Sequence, residues 1–357
     1  MGATINDIAQ AAGVSKATVS RFLNDRSRLK EETALLIDSV IKEFNYIPNG
    51  AARNLAMKQA DRIGVLISHV RSAYWNEIYS AMHDYLSRHM RDTEVFSLNC
   101  DNAVLYYSKK SIRDKIRVLA EQRVAGIILL LRDVSPEDVD YISEFGIPFV
   151  VVQSDGKDER VSCVNIDNRA AVYGITQYLL GLGHKDIVYV SGPADAVFTR
   201  ERFEGYREAM FSKRLYRKER ILHGDNSTSD GYWRAKQILS WNPRPTAILY
   251  ASDSMAFGGM QAIRESGLDI PRDISVAGFD GYREQIDLMD MLPPLTTVMQ
   301  PIHLIGEKTA EIIMCKIRDK EMGIDRKYHI VLPTGFIDNG SCAVPGAFGT
   351  VGEVVAK

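Results

Sequence analysis

The sequence predicts a small all-α headpiece carrying a helix-turn-helix, followed by an α/β body of two lobes with doubly wound parallel sheets. Three observations lead there. Residues 4–24, TINDIAQAAGVSKATVSRFLN, hold two helix-length patterns on either side of a glycine turn. At Arg62 the texture changes, and β-branched runs alternate with helical segments through the rest of the body. The chain is 357 residues long, and its roughly ten strands exceed what one such sheet usually holds.

In the headpiece the first helix should cover residues 4–12. Thr4 is its N-cap, and Asp7 sits in the first turn, where the helix dipole favours an acid. Ile5, Ile8, Ala9 and Ala12 form its apolar face, and Gly13 ends it. Ser15 caps a second helix whose apolar face is Val19, Phe22 and Leu23. Lys16, Ala17 and Arg21 project elsewhere, with Thr18 and Ser20 between them. A third helix, residues 31–44, is expected to close a small core with Leu36, Ile37, Val40, Ile41 and Phe44. Two short helices joined by a glycine turn make a helix-turn-helix, the second helix of which enters a major groove. By spacing alone, a helical mini-bundle that binds protein fits as well.

YIPNGAARNLAMKQADRIGVL follows. Pro48 and Asn49 can start a short helix, which would be marginal in water by itself. The body then runs IGVLIS, EVFSLN and GIILLL, each followed by a helix-length segment, and then IPFVVVQ; the cycle resumes with SCVNID, DIVYVSG, TAILYA and DISVAGFD, again separated by helix-length segments. That order means right-handed βαβ units in parallel sheets covered on both faces. Two lobes dividing near Val161 account for the strand count, with small ligands bound beyond strand carboxyl ends in the cleft between them.

Net charge is −2, so a nucleic-acid contact has to come from a local surface. Residues 1–62 carry a surplus of two positive charges and the remainder is acidic. The four cysteines, Cys100, Cys163, Cys315 and Cys342, form no C-x-x-C pair, which fits reduced thiols in a cytoplasmic protein and no metal site. No signal-like N-terminus and no stretch of eighteen apolar residues is found, so neither secretion nor membrane insertion is expected.

Eight stretches in order over residues 4–339 make the chain resemble the LacI/GalR family of bacterial transcription regulators. Besides the headpiece and the segment after it, they include VNIDNRAA, LGHKDIVYVSGP, RERFEGYREAM, ASDSMAFGGMQAI, DISVAGFD and LPPLTTVMQP. The resemblance implies a headpiece at 1–47, a hinge helix and linker at 48–60, and a periplasmic-binding-protein-like core at 61–340. Its first lobe would be 61–160 with 292–322, and its second 161–291 with 323–340. Residues 341–357 lack a leucine heptad and would be a loose tail, leaving a homodimer.

The same resemblance assigns residues to two sites. Lys16, Ala17 and Arg21 would read bases of double-stranded DNA, and Arg21 suits a guanine edge. Thr18, Ser20 and the amides at helix starts would position the backbone, Thr4, Ser15, Asn24, Asn49 and Ala52 would also contact the DNA, and Leu55 would wedge the minor groove of a pseudopalindromic operator. A sugar effector would meet Tyr74, Trp75, Arg202 and Asp280, with Ser252 and Asn226 at positions where relatives carry Asn and an aromatic. Asp253 is expected to cap the helix after it. No cofactor is implied. An enzyme lacks support, since no phosphate-binding loop, G-x-S-x-G elbow or paired histidine ligands occur. A sugar-transport protein would lack residues 1–58. A catabolite-control regulator switched by a phosphorylated carrier protein fits the same motifs.

Overall fold

Apolar spacing dictates two separate units, Met1–Ala60 and Asp61–Lys357. The computed structural model describes residues 5–24, 29–44, 62–68, 73–90, 93–100, 109–131, 134–154, 158–194, 196–281 and 292–346. The expected hinge helix at 48–60, with Asn49, Ala52 and Leu55, and the cap Thr4 lie outside them.

The first unit holds α1 (Ile5–Ala11), α2 (Lys16–Asn24) and α3 (Glu31–Glu43). Ile8, Val19 and Ile37 are fully buried at its centre, with Ala9, Ala12, Ala34 and Val40 around them. Gly13 takes φ +59°, and the N–H groups of Gly13 and Val14 donate to the carbonyls of Gln10 and Ala9. That left-handed residue closes α1 and turns the chain into α2. Two expected core residues of α3 lie outside: Leu36 is 48% and Phe44 43% exposed. The core is only three short helices wide, and Ala34, Ile37 and Val40, at i, i+3 and i+6, already fill the inward stripe.

The second unit has two six-stranded sheets among the described residues. The first contains β1 (Arg62–Ile67), β2 (Glu94–Asn99), β3 (Gly126–Leu130), β4 (Phe149–Val152), β5 (Ser162–Ile166) and β11 (His329–Leu332). Its order is β11-β5-β4-β3-β1-β2, parallel throughout. The second contains β6 (Ile187–Ser191), β7 (Ile221–His223), β8 (Ala247–Tyr250), β9 (Ser275–Asp280), β10 (Thr296–Met299) and β12 (Gly335–Ile337). Its order is β12-β10-β9-β8-β6-β7, parallel except where β12 meets β10. The helices between strands are α4 (Ala73–His89), α5 (Lys109–Glu121), α6 (Pro136–Glu144), α7 (Asn168–Gly181), α8 (Val197–Ser212), α9 (Thr228–Leu239), α10 (Asp253–Glu265) and α11 (Ile302–Glu321).

The chain passes between sheets at β5 to α7, β10 to α11 and β11 to β12. These crossings correct the expected lobe boundaries. β5 and β11 pair with each other in the first sheet, although 161–291 and 323–340 were assigned to the second lobe. β10 lies in the second sheet beside β9, although 292–322 was assigned to the first. A strand's sheet is set by its ladder partner, which hydrophobic patterning does not specify. The tail also differs from expectation over 341–346. The Ser341 carbonyl accepts from the Val276 amide, its hydroxyl donates to the Val276 carbonyl, and Cys342 is buried. Residues 347–357 lie outside the described set.

Candidate DNA-reading helix and effector site

On α2 the expected N-cap forms: the Thr18 amide donates to Ser15 Oγ at 3.1 Å, and the two hydroxyls lie 2.8 Å apart. Lys16, Ala17 and Arg21 are exposed, Thr18 and Ser20 half-buried, and Val19 is fully buried beneath them. The helix has two cations and no acid, so its outer face attracts phosphate. Ala17 leaves room for close approach. Asn24 is the last residue of α2, and its side chain lies outside the described set.

In the body, β9 ends at Asp280, whose φ of +143° is strained for a residue with a Cβ. Asp253, in the first turn of α10, holds that turn in place. One of its carboxylate oxygens accepts from the Gly281 amide and the other from Thr297 Oγ1, both at 2.7 Å. Burial, reinforced by the nearby Asp280 charge, pushes the Asp253 carboxyl well above the usual carboxylate range; the hydrogen bonds from Thr297, Gly281 and Phe279 oppose this.

Arg202 lies on α8, nearly buried at 3% exposure. Its Nε donates to Asn168 Oδ1 at 2.9 Å and its Nη1 to the Ala251 carbonyl at 2.6 Å. The guanidinium rests on the Phe279 ring, 3.7 Å from the centroid, with Phe198 at 5.1 Å. Nη1 is 3.9 Å from Asp280 Oδ1, an ion pair without a direct hydrogen bond. Both residues belong to the second lobe, as the expected boundary of 161–291 also has them.

The first lobe contributes Tyr74 and Trp75 from α4, packed edge to face and both buried. The Tyr74 hydroxyl donates to Gln300 Oε1 at 3.1 Å and accepts from Gln153 Nε2 at 2.5 Å. Gln300 Nε2 then donates to Asp280 Oδ1 at 2.7 Å. Burial first, then the Asp280 charge, raise the Tyr74 phenol pKa, so it keeps its donor proton at neutral pH. Gln153, at φ +60°, and Gln300 had no part in the sequence reading, yet they join the first-lobe tyrosine to the second-lobe carboxylate. Gln300 stands in the β10–α11 crossing itself.

The expected effector residue Ser252 is placed differently. The Ser252 hydroxyl is the N-cap of α10, accepting from the Met255 amide at 3.3 Å, the role expected of Asp253. Its neighbour Asp253 is turned inward instead, where its carboxyl accepts from the Gly281 amide and from Thr297 Oγ1. Asn226 follows β7 at φ +68°, with its Oδ1 buried and without a hydrogen-bond partner. Among the described residues no cluster of potential metal ligands occurs, and no helix is long and apolar enough to cross a membrane.

Comparison with known proteins gives the following. Residues 4–49 match the profile of bacterial regulatory proteins of the lacI family. Residues 60–333 match that of periplasmic binding proteins and the sugar binding domain of the LacI family. The chain is 33% identical to the HTH-type transcriptional repressor PurR of Vibrio campbellii, covering 89% of this chain and 93% of that one. It is 32% identical to catabolite control protein A of Staphylococcus xylosus, covering 86% and 90%. A crystal structure of the Lac repressor dimer bound to operator and the anti-inducer ONPF superposes with a TM-score of 0.80 at 27% identity, covering 96% and 100%. A complex of the regulator CelR with cellobiose gives 0.68 at 27%, covering 95% and 99%.

Proposed function

Because the chain belongs to the LacI family of bacterial regulatory proteins, we propose that it is a cytoplasmic homodimeric repressor released from, or held on, its operator by a sugar. It is a DNA-binding transcriptional repressor by family, and its relatives are regulators, not enzymes. Lys16, Ala17 and Arg21 read a pseudopalindromic operator, with Ser15, Thr18 and Ser20 on phosphates. Thr4, Asn24, Asn49, Ala52 and Leu55 complete that contact by sequence position alone.

The observation that carries the effector reading is the Tyr74–Gln300–Asp280 chain of hydrogen bonds. A sugar hydroxyl that donates to Asp280 competes with Gln300 for the same oxygen. Gln300 stands where the chain crosses between lobes, so its release changes what holds them together. Arg202 supplies donors and Tyr74 and Trp75 apolar ring faces, as a polyol requires. Ser252, committed to its helix cap, is left out of the site. The complex of CelR with cellobiose and the ONPF-bound Lac repressor favour a saccharide.

A thermal-shift screen of the full chain against saccharides tests this, since a ligand of the folded state raises the melting temperature. Hits that disappear in Arg202→Ala support the site; hits that persist unchanged remove it. The likeness to catabolite control protein A favours a second reading, in which a phosphorylated carrier protein is the switch. Adding such a carrier to an operator titration separates the two.

A further inference from the structure

We infer that the turn after α8 binds single-stranded nucleic acid, a partner beyond the operator duplex. Residues 207–220, REAMFSKRLYRKER, carry six cations against two acids, whereas the whole chain has a net charge of −2. Arg207 pairs with Glu204, and the buried Arg220 with Asp186 at 2.6 Å. Lys213, Arg214, Arg217 and Lys218 are all exposed, and among the described residues none has an ion pair or a side-chain hydrogen bond. The backbone crowds these four together. Arg214, at φ +59°, reverses the chain at the end of α8, where the amides of Arg214 and Leu215 donate to the Phe211 and Met210 carbonyls, both at 2.9 Å. A 3-10 turn, Lys218–Arg220, follows at once. Four like charges within six residues repel, and an anionic partner relieves that. The α8 dipole accounts for Lys213 and Arg214 at most, because it fades within the last turn. Arg217 and Lys218 lie beyond it.

The aromatic pair selects the kind of anion. Phe211 stacks on Tyr216, with centroids 4.5 Å apart and planes 19° from parallel, yet it is 57% exposed. One ring face is covered by the tyrosine, so the exposed area is the other face and the edge. An open ring set among lysines and arginines is what a single strand uses, since bases stack on the ring and phosphates lie on the cations. A duplex already stacks its bases on one another and has none to offer such a ring. An anionic membrane calls for a broad apolar face beside the charges. Here Phe211 is the only large apolar side chain exposed between residues 207 and 220. An acidic peptide would satisfy the cations without using the ring.

The test is fluorescence anisotropy of the full chain with labelled oligouridylate and oligo-dT of about twelve nucleotides, a length such surfaces hold. Titrations run over a series of salt concentrations, with polyglutamate and phosphatidylserine vesicles as the other anions. The log of single-strand affinity should fall with log salt, by about 0.7 for each phosphate neutralised. Arg217→Ala/Lys218→Ala should therefore flatten that slope by about 1.4. Phe211→Ala should lose about tenfold in affinity, the worth of one stacked base, and leave polyglutamate binding as it was. All three positions are exposed, so the fold should survive; either variant decides if the other fails to fold. Lys16→Ala/Arg21→Ala, which weakens the headpiece, should keep single-strand binding, and the patch variants should keep operator binding. A strand that binds the patch variants as it binds the parent, or that is lost with the headpiece residues, overturns the inference. Polyglutamate or vesicles binding as tightly as the oligonucleotides overturns it too, and so does no binding of the oligonucleotides. None of these results bears on the effector reading.

Discussion

Asp280 keeps a backbone angle that costs roughly 1–3 kcal/mol, and Asp253 is what over-determines it. Removing that carboxyl by Asp253→Ala leaves the buried Thr297 hydroxyl and the Gly281 amide without their acceptor and should destabilise the fold by about 1–3 kcal/mol. Asp253→Asn should cost much less, since its amide can face Thr297 Oγ1, whose hydroxyl also reaches the Val298 carbonyl. The pH dependence follows from the raised pKa. In the folded state Asp253 holds its proton to higher pH than in the unfolded chain, so its contribution falls as pH rises above about 4. Parent minus Asp253→Asn stability, from urea melts across pH, should therefore decline with rising pH; a difference that grows would show the carboxyl to be stabilised as an anion.

On the headpiece, Arg21→Ala should lose about 1–3 kcal/mol of operator preference while keeping weak, salt-sensitive DNA binding. Arg21 is exposed, so the fold should not suffer. Gel-shift titrations on operator and random DNA at matched salt decide it; an unchanged ratio would make Arg21 a solvated surface charge. Arg202, Asp280 and the α2 face could be named from the sequence through the family resemblance, Asp280 also by its place at a strand's carboxyl end. Gln153 and Gln300 could not, because they meet Tyr74 across 79 and 226 residues, and nothing local encodes that.

Among elements, α9 and α10 approach so closely that glycine is required on both. A Cβ on Gly258 would lie 1.8 Å from the Thr228 carbonyl oxygen, and one on Gly231 2.0 Å from that of Met255. Backbone cannot yield as a side chain does, so Gly258→Ala should cost about 1–3 kcal/mol or more. A melting temperature lowered by about 2–4 °C per kcal/mol would show it, and an unchanged one would mean the helices separate freely. Patterning found the long central strands, which read as continuous apolar runs because both faces are covered. It missed β7, β10, β11 and β12, of three or four residues each, whose apolar runs are shorter than those of the four-residue β4 and β8. The lobe boundaries failed with them, since β10 and β11 are the strands next to two of the crossings.

For the whole molecule, the proposed function makes ligand binding and the arrangement of the lobes one equilibrium, with three chain crossings between the sheets. Linkage then requires that effector change operator affinity by the same factor by which operator changes effector affinity, typically about 1–3 kcal/mol. Asp280→Asn changes an acceptor charge at nearly constant volume, and Arg202→Ala removes the donor beside it. The central claim is that this buried cluster senses the effector that switches the DNA-binding unit. The direct measurement is a titration of operator by parent and both variants, with and without the saccharide found in the screen. The account predicts that all three bind operator alike without saccharide and that only the parent responds to it. Variants that respond as the parent does would contradict it.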